Sequence, residues 1–164
     1  MKTLYLIGGT MGVGKTTVSQ YMKTNLHDAV FLDGDWCWDA DPFYVTDETK
    51  KMVLENITHL LANFIGCSLY QNIIFAWVMH EQAIIDEILS KLNTEKITVR
   101  IISLTADEKT IAGRLKKDID AVIRKEDVIQ RSIQRIGLYK TLNTEKIDTT
   151  GKSVQEIYEE IVGK

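Results

Sequence analysis

The chain has 164 residues, enough for one domain with a substantial hydrophobic core and short for two. Its formal charge of −3 argues against a broad nucleic-acid interface, which needs a basic face, and no stretch reaches the ~20 apolar residues that span a bilayer. Cys37 and Cys67 stand apart without metal-ligand spacing or a histidine cluster, so neither a zinc site nor a disulfide framework is expected, and the thiols read as those of a reduced, cytoplasmic protein.

In chain order, Thr3-Leu4-Tyr5-Leu6-Ile7 reads as a strand over 3–8, and a helix follows over 15–26. The apolar start is too short for a secretory signal and runs straight into Gly9-Thr10-Met11-Gly12-Val13-Gly14-Lys15-Thr16. That run satisfies G-x-x-x-x-G-K-T, the phosphate-binding P-loop, in the strand-to-helix context the motif requires. A nucleotide's β and γ phosphates are held when successive backbone N–H groups turn inward together, which the glycines permit. Lys15 adds a mobile positive charge, Thr16 a hydroxyl suited to Mg²⁺, and the start of the helix, through Thr17, the positive end of its dipole.

Val30-Phe31-Leu32 forms a second strand, followed by a loop with Trp36, Trp38 and the only proline, Pro42. A long helix is expected over 47–68 on the spacing of Val53, Leu54, Ile57, Leu60, Leu61 and Phe64. The apolar run 72–78 reads as a central parallel strand covered on both faces. A helix over 81–92 and a strand over 97–104 follow, and Thr105 with Glu108 offers a capping box for the next helix. A polar break at 118–120 precedes a helix over 126–141. The last strand is 146–148, and Ser153 with Glu156 caps a final helix whose inner face carries Ile157, Tyr158 and Ile161. This alternation predicts a parallel sheet with helices on both sides. Leu-Asn-Thr-Glu-Lys-Ile occurs at 92–97 and 142–147, both at helix-to-strand junctions, and reads as two similar turns rather than a structural repeat.

Asp33-Gly34-Asp35 ends the second strand, and in open parallel sheets ligands bind beyond the carboxyl ends of strands, so both carboxylates land near the phosphate loop. Phosphoryl transfer to a hydroxyl needs a group that orients the nucleophile and accepts its proton, and oxygen ligands for Mg²⁺ and its waters. Asp33 and Asp35 can divide those tasks, with an Asp-Gly turn the plain alternative for either. Arg114, Arg124, Arg131 and Arg135 are four of the five arginines, concentrated between the fourth and last strands, with planar donors suited to phosphate oxygens and to stacking on a purine. For Arg131 ordinary surface charge is an equal reading.

With these residues in place, the chain resembles the small P-loop kinases that phosphorylate metabolites and nucleosides. Shikimate kinase and gluconate kinase are near examples and chloramphenicol phosphotransferase a more distant one. The resemblance extends over essentially the whole length through element order, and its specific motif is the P-loop. It implies a three-layer α/β P-loop NTPase fold as a single domain, with a five-stranded parallel sheet ordered 2-3-1-4-5, helices on both faces and a short lid at 116–125. It implies transfer of the γ-phosphoryl of Mg·ATP to a hydroxyl of a small molecule. Asp33 would take the metal side with Thr16, and Asp35 the acceptor hydroxyls, although relatives differ on which carboxylate is the base. Arg114 would lie against adenine, Arg124 would swing from the lid onto the transferring phosphate, and Arg135, before Leu138-Tyr139, would bind the acceptor. Thr150 and Lys152 fall in what looks like the adenine-side loop, which equally reads as a strand-to-helix connection.

The acceptor side departs from the shikimate pattern, where a glycine triplet follows the third strand. Here that place reads Ala76-Trp77-Val78-Met79-His80, so shikimate is not the expected acceptor. Trp36, Trp38 and Trp77 either wall the pocket, favouring an aromatic, nucleoside-like or apolar acceptor, or belong to the core. His80 either meets the acceptor or caps the following helix. Glu145 before Lys146 breaks the guanine motif N-K-x-D and favours ATP over GTP. The rivals are a nucleotide, nucleoside or polynucleotide 5′-hydroxyl kinase and, from another class, a nucleotide-dependent switch ATPase. An acidic pI near 5.6 counts against a polymeric acceptor, and a monomer or weak homodimer is expected.

Overall fold

The computed structural model describes residues 1–121 and 127–163. In chain order these form β1 (Thr3–Gly8), α1 (Lys15–Asn25), β2 (Ala29–Asp33), a 3₁₀ turn (Gly34–Cys37), α2 (Asp47–Gly66), β3 (Asn72–Ala76), α3 (Gln82–Ser90) and β4 (Thr98–Thr105). Then come α4 (Glu108–Asp120), α5 (Val128–Ile136), a second 3₁₀ turn (Gly137–Thr141), β5 (Glu145–Asp148) and α6 (Val154–Val162). The five strands pair in the order β2-β3-β1-β4-β5, all parallel, the order that the family resemblance implies.

The alternation of side chains along the strands divides the core in two. Tyr5, Ile7, Phe31, Ile74 and Ile102 face one side and pack with Val18 and Met22 of α1, Ile111 and Leu115 of α4, and Ile157 and Ile161 of α6. Leu4, Leu6, Leu32, Ile73 and Phe75 face the other and pack with Val53, Leu54, Ile57 and Leu61 of α2 and with Ile85 and Ile88 of α3. The central strands β1 and β3 are therefore apolar from Leu4 to Ile7 and from Ile73 to Ala76, after a polar first residue, Thr3 or Asn72. Arg100 on β4 fastens the far edge. It donates from Nε to Glu145 Oε1 (3.0 Å) and from Nη2 to Glu145 Oε2 (2.7 Å), and from Nη1 to the carbonyl of Ile161. No described helix is long and apolar enough to cross a membrane.

Register brings the chemistry together. Ala76 is the partner of Ile7 on one side and of Asp33 on the other, so β1, β2 and β3 end at one level and their following loops share one edge of the sheet. β3 ends at Ala76, short of the expected residue 78, but the Trp77 amide still donates to Ile7 O (3.1 Å).

Three local expectations are corrected. Thr105 does not cap α4: it pairs with Asp148 as the last residue of β4, and Asp107 is the cap, accepting from the Thr110 amide at 2.6 Å. The polar break at 118–120 does not form, because Lys117, Asp118 and Asp120 are ordinary exposed-face helix residues and α4 runs through Asp120. Residues 116–120 of the expected lid are thus helical, while 122–125, with Arg124, lie outside the described residues. The helix expected over 126–141 is described from Val128 and passes at Gly137 into the 3₁₀ turn.

The capping box at α6 forms as expected, with the Glu156 amide donating to Ser153 Oγ (3.3 Å) and the Ser153 amide to Glu156 Oε2 (2.7 Å). Ser153→Ala should cost about 1 kcal/mol, read as a lower urea midpoint with an unchanged slope.

Candidate active site

The turn out of β1 is built to keep side chains away from it. Gly12 has φ 80°, and a Cβ there would come within 2.6 Å of Leu115 Cγ on α4, so only glycine fits the loop beneath that helix. The carbonyls of Gly9, Thr10, Met11 and Val13 are held from outside the turn or by its own lysine. Lys15 Nζ donates to Gly9 O (2.8 Å) and Thr10 O (3.1 Å), and Arg114 Nη1 (2.8 Å) and Thr149 Oγ1 (3.3 Å) both reach Val13 O. The Ser132 hydroxyl donates to Met11 O. A planar peptide points its N–H opposite its C=O, so carbonyls drawn away leave amides for an anion.

Beside the loop lies a cleft of about 280 Å³ lined by Gly12, Gly14, Lys15, Thr16, Thr17, Arg114, Lys117 and Asp118. Three cations, a glycine cradle and the N-terminus of α1 suit a polyphosphate chain. Thr16 Oγ1 donates to Asp33 Oδ2 at 2.9 Å, and Asp33 Oδ1 accepts from the Asp35 amide at 3.1 Å. Mg²⁺ takes one or two protein oxygens and fills the rest of its shell with water and phosphate, and the Thr16–Asp33 pair fits that demand. Asp33 is buried at the end of β2, whereas Asp35 is exposed on the turn beyond it.

The residues expected on the acceptor side, Asp35, Trp36, Trp77 and His80, lie on the turn after β2 and in the loop after β3. A Cβ on Gly34 would sit 2.4 Å from Trp77 Cγ, so this glycine lets the indole close over the turn between the two aspartates. The three tryptophans part company. Trp38 packs against the core and stacks on Phe43 with centroids 4.1 Å apart, and Trp77 is half-buried. Trp36 is 60% exposed, standing edge-on to Phe31, and walls a cavity of about 560 Å³ with Cys37, Glu55, Asn56, His59 and Leu60. Burial and the nearby charges of Asp33 and Asp35 push the Cys37 thiol up.

His80 follows in the same loop, with Nε2 3.2 Å from Glu81 Oε1 and Nδ1 buried without a hydrogen-bond partner among the described residues. Burial and the positive charge of Arg135 hold its pKa below the ordinary value, against the opposing pull of Glu81. Tyr139, on the 3₁₀ turn that follows Arg135, donates its hydroxyl to Val78 O in the same loop as His80.

Other expected residues are engaged elsewhere. Arg131 pairs with Asp127 on the surface at 3.2 Å, the ordinary reading of that residue. Lys152 Nζ is 2.6 Å from Glu160 Oε2 of α6, and the Thr150 hydroxyl accepts from the amide of Asp107, the cap of α4, at 3.0 Å. Thr149, its neighbour, reaches the phosphate loop instead. Sequence reasoning missed Thr149, Ser132 and Lys117. Lys117, one turn after Arg114, was accessible from helical spacing; the other two carry no motif.

Fold and site together define a P-loop NTPase fold of the kinase type. Residues 6–134 match the family described as AAA domain, and the chain belongs to that family. Among solved structures, the tunicamycin resistance protein of Deinococcus radiodurans superposes with a TM-score of 0.75 at 19% identity, covering 99% of this chain and 95% of that one. A gluconokinase from Sinorhizobium meliloti 1021 gives 0.73 at 15% identity, covering 98% and 90%. Shikimate kinase from Acinetobacter baumannii, in complex with shikimate, gives 0.65 at 19% identity, covering 99% and 91%. At these identities the likeness is one of fold. No curated protein matches in sequence.

The depressed pKa of His80 fixes the sign of a pH effect. The folded state resists protonating this group, so its contribution is intact above the unfolded value of about 6.5 and is lost as pH falls through the depressed value. Urea midpoints taken across that window should fall more steeply with decreasing pH for the wild type than for His80→Asn.

Proposed function

We propose that this chain is a kinase that moves the γ-phosphoryl of ATP to a hydroxyl of a small molecule. The observation that carries the reading is the chain of contacts from Thr16 Oγ1 to Asp33 Oδ2 (2.9 Å) and from Asp33 Oδ1 to the Asp35 amide (3.1 Å). It sets one buried carboxylate beside the hydroxyl that begins α1 and holds a second, exposed one next to it, facing the acceptor side.

In this reading the phosphate loop amides and Lys15 bind the β and γ phosphates, and Arg114, which the family resemblance puts against adenine, lines the same cleft. Mg²⁺, held from Thr16 and the Asp33 side, neutralises charge on the phosphate oxygens when bound. Asp35 orients the acceptor hydroxyl and takes its proton as the acceptor oxygen bonds to the γ-phosphorus and the bond to the β-phosphate oxygen breaks, releasing ADP. His80 and Arg135 position the acceptor, and Trp36 and Trp77 give it an apolar wall that excludes water. Arg124, on the segment outside the described residues, is proposed to neutralise the transferring phosphate. The solved gluconokinase and shikimate kinase are similar in fold, and the likeness to the tunicamycin resistance protein supports including tunicamycin among candidate acceptors.

ADP release with Mg·ATP, measured against sugar acids, nucleosides, nucleotides, antibiotics and 5′-hydroxyl oligonucleotides, should rise well above the acceptor-free rate with one small-molecule class. Asp33→Asn and Asp35→Asn should each reduce that stimulated rate by about 10²-fold or more. Tight ATP binding with no stimulation by any acceptor, and a basal rate indifferent to both substitutions, would favour a nucleotide-driven switch instead.

A further inference from the structure

Two buried polar contacts bound the span 132–139, about two turns of one continuous helical segment, and the phosphotransfer chemistry above uses neither. At one end, Ser132 of α5 is fully buried against the phosphate loop. Its hydroxyl donates to Met11 O, while the Thr10 hydroxyl donates to Ser132 O at 2.9 Å, with the two side-chain oxygens 2.8 Å apart. Thr10 is 2% exposed, so its side chain faces α5 rather than solvent. At the other end, Tyr139, in the 3₁₀ turn that continues α5 without a break, is 1% exposed and donates its hydroxyl to Val78 O. Val78 lies between Trp77 and the strained residue Met79, which holds φ 34° with a buried side chain, and His80 comes next. A backbone conformation of this kind persists only where the surroundings hold it, here the buried Met79 side chain and the Tyr139 contact to Val78 O.

We propose that α5 and its 3₁₀ extension form a strut that couples the phosphate loop to the 77–80 loop, with Ser132 and Tyr139 as its two positioning residues. A nucleotide that fixes the loop backbone at Thr10 and Met11 fixes α5 through Ser132, and Tyr139 transmits that position to Val78 and His80. Arg135, less than one turn after Ser132, travels with the strut, and its charge already bears on His80 and Tyr139. The proposal rests on the phosphotransfer reading only in naming the 77–80 loop as the acceptor side.

The test follows the His80 ring Cε1–H resonance, assigned by its loss in His80→Asn, during titration with Mg·ADP, together with the dissociation constant by calorimetry. In the wild type, Mg·ADP should move the His80 resonance. Ser132→Ala and Thr10→Val should bind Mg·ADP about tenfold more weakly and, even when saturated, leave His80 near its nucleotide-free position. Tyr139→Phe keeps the packing and removes only the hydroxyl, so it should bind Mg·ADP as the wild type does while losing the His80 response. Gln134→Ala, exposed on the same helix, should match the wild type in both measurements. A merely structural Ser132 or Tyr139 would lower the melting temperature without separating affinity from the His80 response. The strut is overturned if His80 does not respond in the wild type, or if Tyr139→Phe still responds in full. It is equally overturned if the Ser132 and Thr10 variants bind within twofold of wild type. None of these measurements needs an acceptor or turnover, so they fail separately from the kinase reading.

Discussion

Every peptide that turns its N–H toward a phosphate must turn its carbonyl the other way, and a buried carbonyl needs a donor. Much of this protein around the end of β1 answers that requirement. Met11 O is met by Ser132 of α5, Val13 O by Arg114 of α4 and Thr149 after β5, and Gly9 and Thr10 O by Lys15. The phosphate loop is therefore not a free-standing motif inserted into a scaffold. Its shape is written by three elements distant in sequence, which explains why α4, α5 and the β5–α6 connection converge above one end of the sheet.

The architecture was largely legible in the sequence, and for a physical reason. Central parallel strands buried on both faces must be apolar throughout, so Leu4 to Ile7 and Ile73 to Ala76 announce themselves, and a P-loop is specific because few residues other than glycine tolerate its backbone. Boundaries failed where local signals competed with pairing. Thr105 has the chemistry of a cap, but extending β4 against Asp148 took it into the sheet and passed the cap to Asp107. The site was legible where a residue's role is local, as at Thr16, Asp33 and Asp35, which the strand ends bring together. It was not legible where the role is a long-range hydrogen bond from a commonplace side chain. Ser132 and Thr149 meet the phosphate loop from more than a hundred residues away, and no pattern in the chain marks them.

Charge is segregated around the site although the molecule as a whole is close to neutral. Lys15, Arg114 and Lys117 border the cleft beside the phosphate loop and outnumber Asp118 there, whereas the turn after β2 supplies Asp33 and Asp35 and no cation until Lys50. Opposed fields across a short distance favour a polyanion on one side and a proton-accepting carboxylate on the other. Gly34 holds the two carboxylates apart by admitting Trp77, which leaves Asp33 buried beside Thr16 and Asp35 in the open.

The far edge of the sheet has a consequence of its own. An open sheet ends in strands whose unpaired backbone groups can recruit another chain. β5 has only four residues, and Arg100 draws both Glu145 on that strand and the C-terminal turn of α6 onto it. So little backbone is left in register along this edge that another molecule has few places to add a strand. The same guanidinium that ties the last strand to β4 thus also crowds this edge against an added strand, whereas the opposite edge, β2, runs straight into the turn that carries Asp33 and Asp35.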